Sequence, residues 1–322
     1  MKVLITGVTG FVGSHLAEYC LEKDNVEVFG IKRWRSPLEN IRDIIEKVNL
    51  IDCDLRDENS IALAIREIKP DRIFHLAAQS YVPTSFTAPR DTIETNVIGT
   101  LNLLEAVRHA QIDPLIHICS SSEVYGQVYE NEIPITESNQ LRPQSPYAVS
   151  KVGEDLVSYQ YFRSYGLKTI RTRAFTHTGP RRGDVFVCSA FAKQIAEIEK
   201  EKRVPILYVG NLDSVRTFLD VRDIVHAYWL ALEMCPPGEV YNLGGDVTMK
   251  VGEMLNILLN LSPRGKDIEI KIDPKLLRPS DVTLQIPSTK KFREQTEWKP
   301  EIPFEQTLSD LLDYWRIKVK ES

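Results

Sequence analysis

The stretch Lys2-Val3-Leu4-Ile5-Thr6-Gly7-Val8-Thr9-Gly10-Phe11-Val12-Gly13-Ser14-His15-Leu16-Ala17-Glu18-Tyr19 decides the fold. Val3 to Ile5 is a short apolar run that reads as a buried strand, and Phe11, Leu16 and Tyr19 follow at helical spacing after three glycines. A strand, a glycine turn and a helix in that order form a phosphate cradle. Gly7 permits the tight turn, Gly10 lets the backbone approach a pyrophosphate, Gly13 packs helix on strand, and the helix N-terminus aims N–H groups at the anion. It is this context, rather than the glycines alone, that marks a dinucleotide site.

Beyond that turn, β-branched apolar runs alternate with helical patterns: Val26 to Ile31, Val48 to Ile51, Arg72 to Leu76, Leu115 to Ser120 and Thr169 to Phe175. The alternation predicts an α/β fold, a Rossmann-like doubly wound parallel sheet with its ligand at the carboxyl ends of the strands. After Phe175 the alternation breaks down amid irregular Pro and Gly. We therefore expect a dinucleotide-binding domain over residues 1–175 with later returns at about 211–245, and a smaller mixed α/β substrate domain over residues 176–322. Phe304, Leu308, Leu311, Leu312 and Trp315 repeat at helical spacing and predict an amphipathic terminal helix.

The composition, 43% hydrophobic and 26% charged over 322 residues, is that of a globular enzyme rather than a fibrous or disordered chain. A net charge of −5 gives no global attraction to nucleic acid or an anionic membrane, so an anionic ligand must be held by local Arg and Lys. Five scattered cysteines without a Cys-x-x-Cys pair fit a reducing compartment. With no leader pattern and no bilayer-length apolar stretch, the expectation is a cytoplasmic protein. The histidines lack metal-ligand spacing, and His75 and His117 read as satisfied core residues, so no metal is expected.

The second strand ends in Gly30-Ile31-Lys32-Arg33-Trp34-Arg35-Ser36. An NAD site usually places a carboxylate there for the ribose 2′-hydroxyl, whereas cations suit a 2′-phosphate, which predicts NADP with Arg33 and Arg35 as the clamp. Asp54 and Leu55 follow strand three, where adenine would lie, although Asp54 also reads as a cap. Leu76-Ala77-Ala78-Gln79-Ser80 follows strand four; its small residues allow close approach to a cofactor, and Gln79 and Ser80 offer hydrogen bonds.

Strand five runs into Ser120-Ser121-Ser122-Glu123-Val124-Tyr125-Gly126, and a helix begins near Tyr147-Ala148-Val149-Ser150-Lys151. Tyr and Lys four apart share a helical face, so the ammonium lowers the phenol's pKa and readies it to accept a proton. With a strand-end serine on the same hydroxyl, the trio suits hydride transfer at a secondary alcohol. Arg181, Arg182, Arg216 and Arg278 stand beside turn signals, from which they can converge on a diphosphate; the bland reading of each is a surface ion pair.

Over essentially its whole length the chain resembles the extended short-chain dehydrogenase/reductase family. The marks are Thr6-Gly7-Val8-Thr9-Gly10-Phe11-Val12-Gly13, Leu76-Ala77-Ala78-Gln79 and Tyr147-x-x-x-Lys151. Within that family, Glu123, Gly30-Ile31-Lys32-Arg33, Thr178-Gly179-Pro180-Arg181-Arg182-Gly183, Gly210 to Arg216, and Arg278-Pro279-Ser280-Asp281-Val282 resemble GDP-mannose 4,6-dehydratases. Two positions depart from their pattern: Ser121 stands where they usually have Thr, and Thr176 where they have Asn.

The resemblance implies that Gly7, Thr9, Gly10, Phe11, Val12, Gly13, Arg33, Arg35, Asp54, Leu55, Leu76, Ala77 and Ala78, with Tyr147 and Lys151, hold NADP. It implies a substrate site of Gln79, Ser80, Ser122, Glu123, Thr176, Arg181, Lys193, Arg216 and Arg278. Ser121, Glu123, Tyr147 and Lys151 would convert GDP-mannose to GDP-4-keto-6-deoxymannose, Glu123 taking the C5 proton once C4 is a ketone. The segment Phe191 to Glu199 resembles instead the NADPH-dependent GDP-4-keto-6-deoxymannose reductases, which share this set. A non-catalytic NADP-binding protein is the third reading, and it predicts decay of the Tyr or the Lys. The resemblance also implies a homodimer or homotetramer built through the helices near Thr100 and Tyr159.

Overall fold

The computed structural model describes residues 1–277 and 284–321. The first half of the chain runs β1 (Lys2–Thr6), α1 (Phe11–Leu21), β2 (Glu27–Lys32), β3 (Val48–Asp52), α2 (Glu58–Ile68) and β4 (Arg72–His75). It continues through α3 (Val82–Thr87), α4 (Pro89–Ile93), α5 (Gly99–Ala110), β5 (Leu115–Ser121), α6 (Pro146–Tyr165) and β6 (Thr169–Ala174). The strands stand where the apolar runs predicted them. Val3, Leu4 and Ile5 are fully buried, as a central parallel strand covered on both faces requires.

The second half runs β7 (His177–Thr178), α7 (Val187–Glu199), β8 (Ile206–Val209), β9 (Val215–Asp220), α8 (Val221–Met234) and β10 (Val240–Leu243). Then come β11 (Val247–Lys250), α9 (Val251–Asn260), β12 (Glu269–Ile272), β13 (Leu284–Gln285), α10 (Lys290–Thr296) and α11 (Phe304–Glu321). The main sheet has seven strands in the order β10-β6-β5-β4-β1-β2-β3, parallel throughout. Its order reverses at β1 and β4, where a Rossmann sheet opens its ligand crevice.

One face of the sheet packs on α1 and α8, with Phe292 and Trp298 joining that core from the end of the chain. The other face packs on α2 and α5, with Tyr161 of α6. A separate core forms between α7, α9 and α11, where Leu308, Leu311, Leu312 and Trp315 meet Ile195, Met254 and Phe218. Here β9 pairs with β11 on one edge, and on the other with β13 and β7 in turn.

The helix carrying Tyr147 is pinned at both ends and along its length. The Ser145 hydroxyl accepts from Ala148 N–H at 3.0 Å, Pro146 occupies the first turn, and Gly166 (φ +73°) closes the C-terminus in the left-handed region. On its inner face the fully buried Asp155 carboxylate accepts from Arg171 at 2.8 Å and Arg173 at 2.9 Å, both on β6. Arg173 reaches on to the Tyr125 hydroxyl (3.0 Å), which donates to Asn242 (2.6 Å) of β10. α6 is thereby fixed to β6 and, through Tyr125 in the turn after β5, to β10.

Candidate active site

A cleft of about 1220 Å³ lies along the carboxyl ends of the strands and is closed on the far side by α7, β9 and β13. At its floor the glycine turn has the predicted geometry. Gly7 has φ +72°, and a Cβ there would sit 2.9 Å from the Ala77 Cα, so the turn and the end of β4 approach as only glycine permits. A Cβ on Gly13 would stand 2.2 Å from the Gly7 carbonyl oxygen, which is the close packing of helix on turn expected of that position. No side chain caps α1 and no acidic residue lies in its first turn. Its N-terminus is left to an anion.

The chemical cluster stands at the end of β5. Ser121 is the last residue of that strand; its Oγ accepts from Glu123 N–H at 3.2 Å and so starts a single helical turn that carries Glu123 into the cleft wall. The Ser121 hydroxyl also acts on Tyr147, favouring its phenolate. One turn along α6, Lys151 Nζ donates to the Cys119 carbonyl and to Glu154 Oε2, the latter at 2.6 Å. The Lys151 and Glu154 side chains are 4% and 1% exposed, so this ion pair is sealed in the interior.

That burial changes the expected electrostatics. Burial pushes the Tyr147 phenol up; the Lys151 ammonium and the Ser121 hydroxyl pull it down without cancelling the rise. The expectation that Lys151 leaves the phenol with a net lowered pKa therefore does not hold for the chain alone, because desolvation outweighs it. Burial lowers Lys151, but the Glu154 carboxylate and Tyr147 reverse this and hold it charged. Burial raises Glu154 to about 7, against the pull of Lys151. Glu154 escaped the sequence reading, although a carboxylate three residues after a helical lysine is its signal.

Most residues expected at the site line this cleft: Gly7, Thr9, Gly10, Phe11, Val12, Gly13, Arg33, Asp54, Leu55 and Leu76 to Ser80 do so. Ser121, Ser122, Glu123, Tyr147, Lys151, Thr176 and Arg216 do so as well. Several are already engaged. Gln79 donates to Thr92 (3.0 Å) and accepts from Tyr81 N–H (2.7 Å), so its amide holds the strand end in shape. Asp54 accepts from the Arg56 guanidinium at 2.7 Å, and Arg56 also bonds Asp91 at 3.0 Å.

Three expected residues stand elsewhere, and Arg278 lies outside the described residues. Arg35 is exposed and stacks on Trp34, 4.4 Å from the ring centroid. Arg181, at φ +70°, turns away from the cleft to bond Glu18 and the Asn40 carbonyl. Lys193 pairs with Asp184 at 2.6 Å.

Arg182, expected with Arg181 to face a diphosphate, does face the cleft. Its guanidinium lies 3.6 Å from the Phe186 ring centroid and 4.9 Å from that of Phe11, against which His177 stacks. Arg182 lines the cleft; its backbone bonds Gly179 and Ser189, but its guanidinium has no hydrogen-bond or carboxylate partner among the described residues. Burial lowers its pKa to about 10. A cation without an anion beside the uncapped N-terminus of α1, with Lys32, Arg33, Ser36 and Arg56 also on the cleft wall, fits an anionic dinucleotide.

His75 and His117 are core residues. His75 bonds Thr6 and Thr100, each at 2.9 Å, and His117 bonds Thr172 at 2.8 Å; burial lowers both to about 3. No group of His, Cys, Asp and Glu able to hold a metal occurs among the described residues, and no described helix is long and apolar enough to cross a membrane.

The GDP-mannose 4,6 dehydratase family model matches residues 4–311. A GDP-6-deoxy-D-mannose reductase of Pseudomonas aeruginosa is 33% identical over 321 residues, covering 99% of each chain. A GDP-mannose 4,6-dehydratase of Yersinia enterocolitica is also 33% identical, covering 97% of this chain and 92% of its own. The solved structure of RMD from Pseudomonas aeruginosa complexed with NADPH superimposes with a TM-score of 0.84 at 31% identity, over 98% of this chain and 99% of that one. By sequence over nearly its full length and by fold, the chain belongs to the GDP-mannose 4,6 dehydratase family.

Proposed function

We propose that the protein is an NADP-dependent GDP-mannose 4,6-dehydratase, a lyase that releases water from the hexose with no net redox change. The observation that carries this reading is Glu123 in the cleft wall two residues after Ser121, with Tyr147 and Lys151 lining the same cleft. A carboxylate in that place supplies what elimination requires beyond alcohol oxidation; the reductases share it, so it argues against a simple alcohol dehydrogenase and leaves the choice between dehydratase and reductase to the assay below. The unpartnered Arg182 and the cations after β2 support an anionic cofactor, and Arg33, which has no ion-pair partner among the described residues, supports a 2′-phosphate.

In this reading Gly7 to Gly13 and Arg182 hold the pyrophosphate, Arg33 with Ser36 the 2′-phosphate, and Arg216 the diphosphate of the sugar nucleotide. A bound nicotinamide supplies hydride acceptance from C4 and its return at C6. Tyr147 takes the proton of the 4-hydroxyl, and the buried Lys151 ammonium stabilises the phenolate. The C4 ketone acidifies C5, Glu123 removes that proton, and the same carboxyl delivers a proton to the departing C6 hydroxyl, which leaves as water; as C6 is reduced, the proton held by Tyr147 passes to C5 and the phenolate is restored. Ser121 holds the C4 oxygen through its contact with Tyr147. The products are GDP-4-keto-6-deoxymannose and one water.

A second reading, a GDP-4-keto-6-deoxymannose reductase consuming NADPH, is favoured by one observation: the Pseudomonas reductase is matched over 99% of both chains. Incubating the protein with GDP-mannose and catalytic NADP separates the two. Loss of one water by mass spectrometry supports the dehydratase; an unchanged substrate, with NADPH oxidation on adding the 4-keto-6-deoxy sugar nucleotide, supports the reductase.

We also propose a dimer through α5 and α6. Val149, Leu156 and Tyr159 are exposed at helical spacing on α6, and Ile98 is exposed just before α5, which leaves an apolar face for a second copy.

A further inference from the structure

Ser122 and Gln285 are 163 positions apart in sequence and meet in the cleft, where Ser122 Oγ donates to Gln285 Oε1 at 3.1 Å in the assigned amide orientation. Ser122 opens the turn after β5, between Ser121 and Glu123. Gln285 closes β13, and the pairing of Leu284 and Gln285 with Val215 and Arg216 brings it to the cleft wall. Both side chains are buried.

This contact has two chemical consequences. A serine hydroxyl has one proton, and here it is committed to Gln285, so Ser122 offers a ligand only lone pairs. The other end of the same amide, Nε2, is buried at the cleft wall and has no hydrogen-bond partner among the described residues. Buried amide donors are almost always paired, and one that is not is most economically explained by a partner that arrives later. A purely structural tie would not need it, since Leu or Met fills the same volume without an orphan donor.

We infer that Gln285 is a sugar-positioning residue: it fixes Ser122 as the acceptor for one hexose hydroxyl and gives its own amide N–H to a neighbouring hexose oxygen. The inference rests on reading the cleft as a nucleotide-sugar site. It concerns the sugar rather than the base or the diphosphate, because Ser122 stands between the two residues assigned to the reacting carbons. Sites that hydrogen-bond a hydroxyl discriminate strongly against ligands lacking it. Gln285 thus contributes to the choice of hexose.

The test is calorimetric binding of GDP-mannose and of GDP to the NADP-loaded protein, wild type against Gln285→Met and Ser122→Ala. The expected result is GDP-mannose weakened about tenfold or more in each variant, GDP unchanged within about twofold, and a double variant weakened no further than either single one. In turnover the loss should fall mainly on KM. Equal weakening of both ligands would assign Gln285 a structural role and overturn the inference. Unchanged GDP-mannose binding, or losses that simply multiply in the double variant, would overturn it too. Wild-type protein that neither binds nor converts GDP-mannose would remove the functional reading and this inference with it. Wild-type conversion with an unaffected Gln285→Met protein would remove this inference alone.

Discussion

Replacing Arg182 with methionine should move two observables in opposite directions. Its guanidinium has no carboxylate opposite among the described residues, and burial lowers its pKa from 12.5 to about 10. The folded chain therefore disfavours the cation at every pH below about 10, and neutral pH lies in that range. Each pKa unit is about 1.4 kcal/mol, which sets a ceiling near 3.4 kcal/mol. Arg182 borders the open cleft and stacks on Phe186, so solvent and the ring reduce the penalty to about 1–2 kcal/mol. Unfolding entropy of about 2.1 cal/mol/K per residue gives roughly 0.7 kcal/mol per degree for 322 residues. Methionine keeps the apolar stem and a sulfur for the rings. Cofactor-stripped Arg182→Met protein should then melt about 1.5–3 °C higher than wild type. Its NADP affinity should fall about ten- to hundredfold, the worth of a charge-assisted hydrogen bond of about 1.5–3 kcal/mol. Scanning fluorimetry of the stripped protein and calorimetric titration with NADP read the two effects. A melting point lowered by several degrees would make Arg182 a structural clamp, and unchanged NADP affinity would refute its role at the cofactor.

Glu123→Gln should lower dehydration at least about a hundredfold while leaving NADP binding within twofold, as loss of a general base does; turnover near wild type would show that another group takes the C5 proton. Asp155→Asn leaves Arg171 and Arg173 short of their buried counter-ion and should cost about 3–5 kcal/mol, roughly 4–7 °C in melting temperature; a shift under 1 °C would mean that the pairs merely break even. Glu154 binds its proton more tightly folded than unfolded, so its contribution to stability declines as pH rises from about 4.5 to about 7. Urea denaturation should accordingly show Glu154→Gln gaining on wild type between pH 5 and pH 8 by an amount on the order of 1–3 kcal/mol, and a loss over that interval would mean that the ion pair with Lys151 dominates. Leu156→Arg should shift the mass measured by light scattering from dimer toward monomer, and a monomeric wild type would remove the proposed interface.

The fold was readable because its central strands are buried on both faces, which turns them into apolar runs such as Val3 to Ile5 that stand apart from helical patterns. Ser121 with Glu123, and Tyr147 with Lys151, were readable because their geometry is local, set by a strand end and by one helical turn. Contacts made across the chain were not. Arg181 and Arg182 are adjacent, yet Arg181, at positive φ, joins Glu18 while Arg182 faces the cleft. Lys193 lies one α7 turn from the expected wall but is captured by Asp184, and Arg35 by the ring of Trp34. Gln285 gave no signal, since what brings it to Ser122 is the pairing of two residues of β13 with β9. The net pKa of Tyr147 was misjudged because spacing reveals the nearby lysine and not the burial.

The most direct test of the dehydratase reading follows the hydrogen on C4. Wild-type protein with catalytic NADP and GDP-mannose deuterated at C4 should yield a 4-keto-6-deoxy product that carries the deuterium in its C6 methyl group, because hydride leaves C4 and returns within the same molecule. A product with no deuterium at C6, or substrate left intact while NADPH is consumed by the 4-keto-6-deoxy sugar nucleotide, would contradict the account.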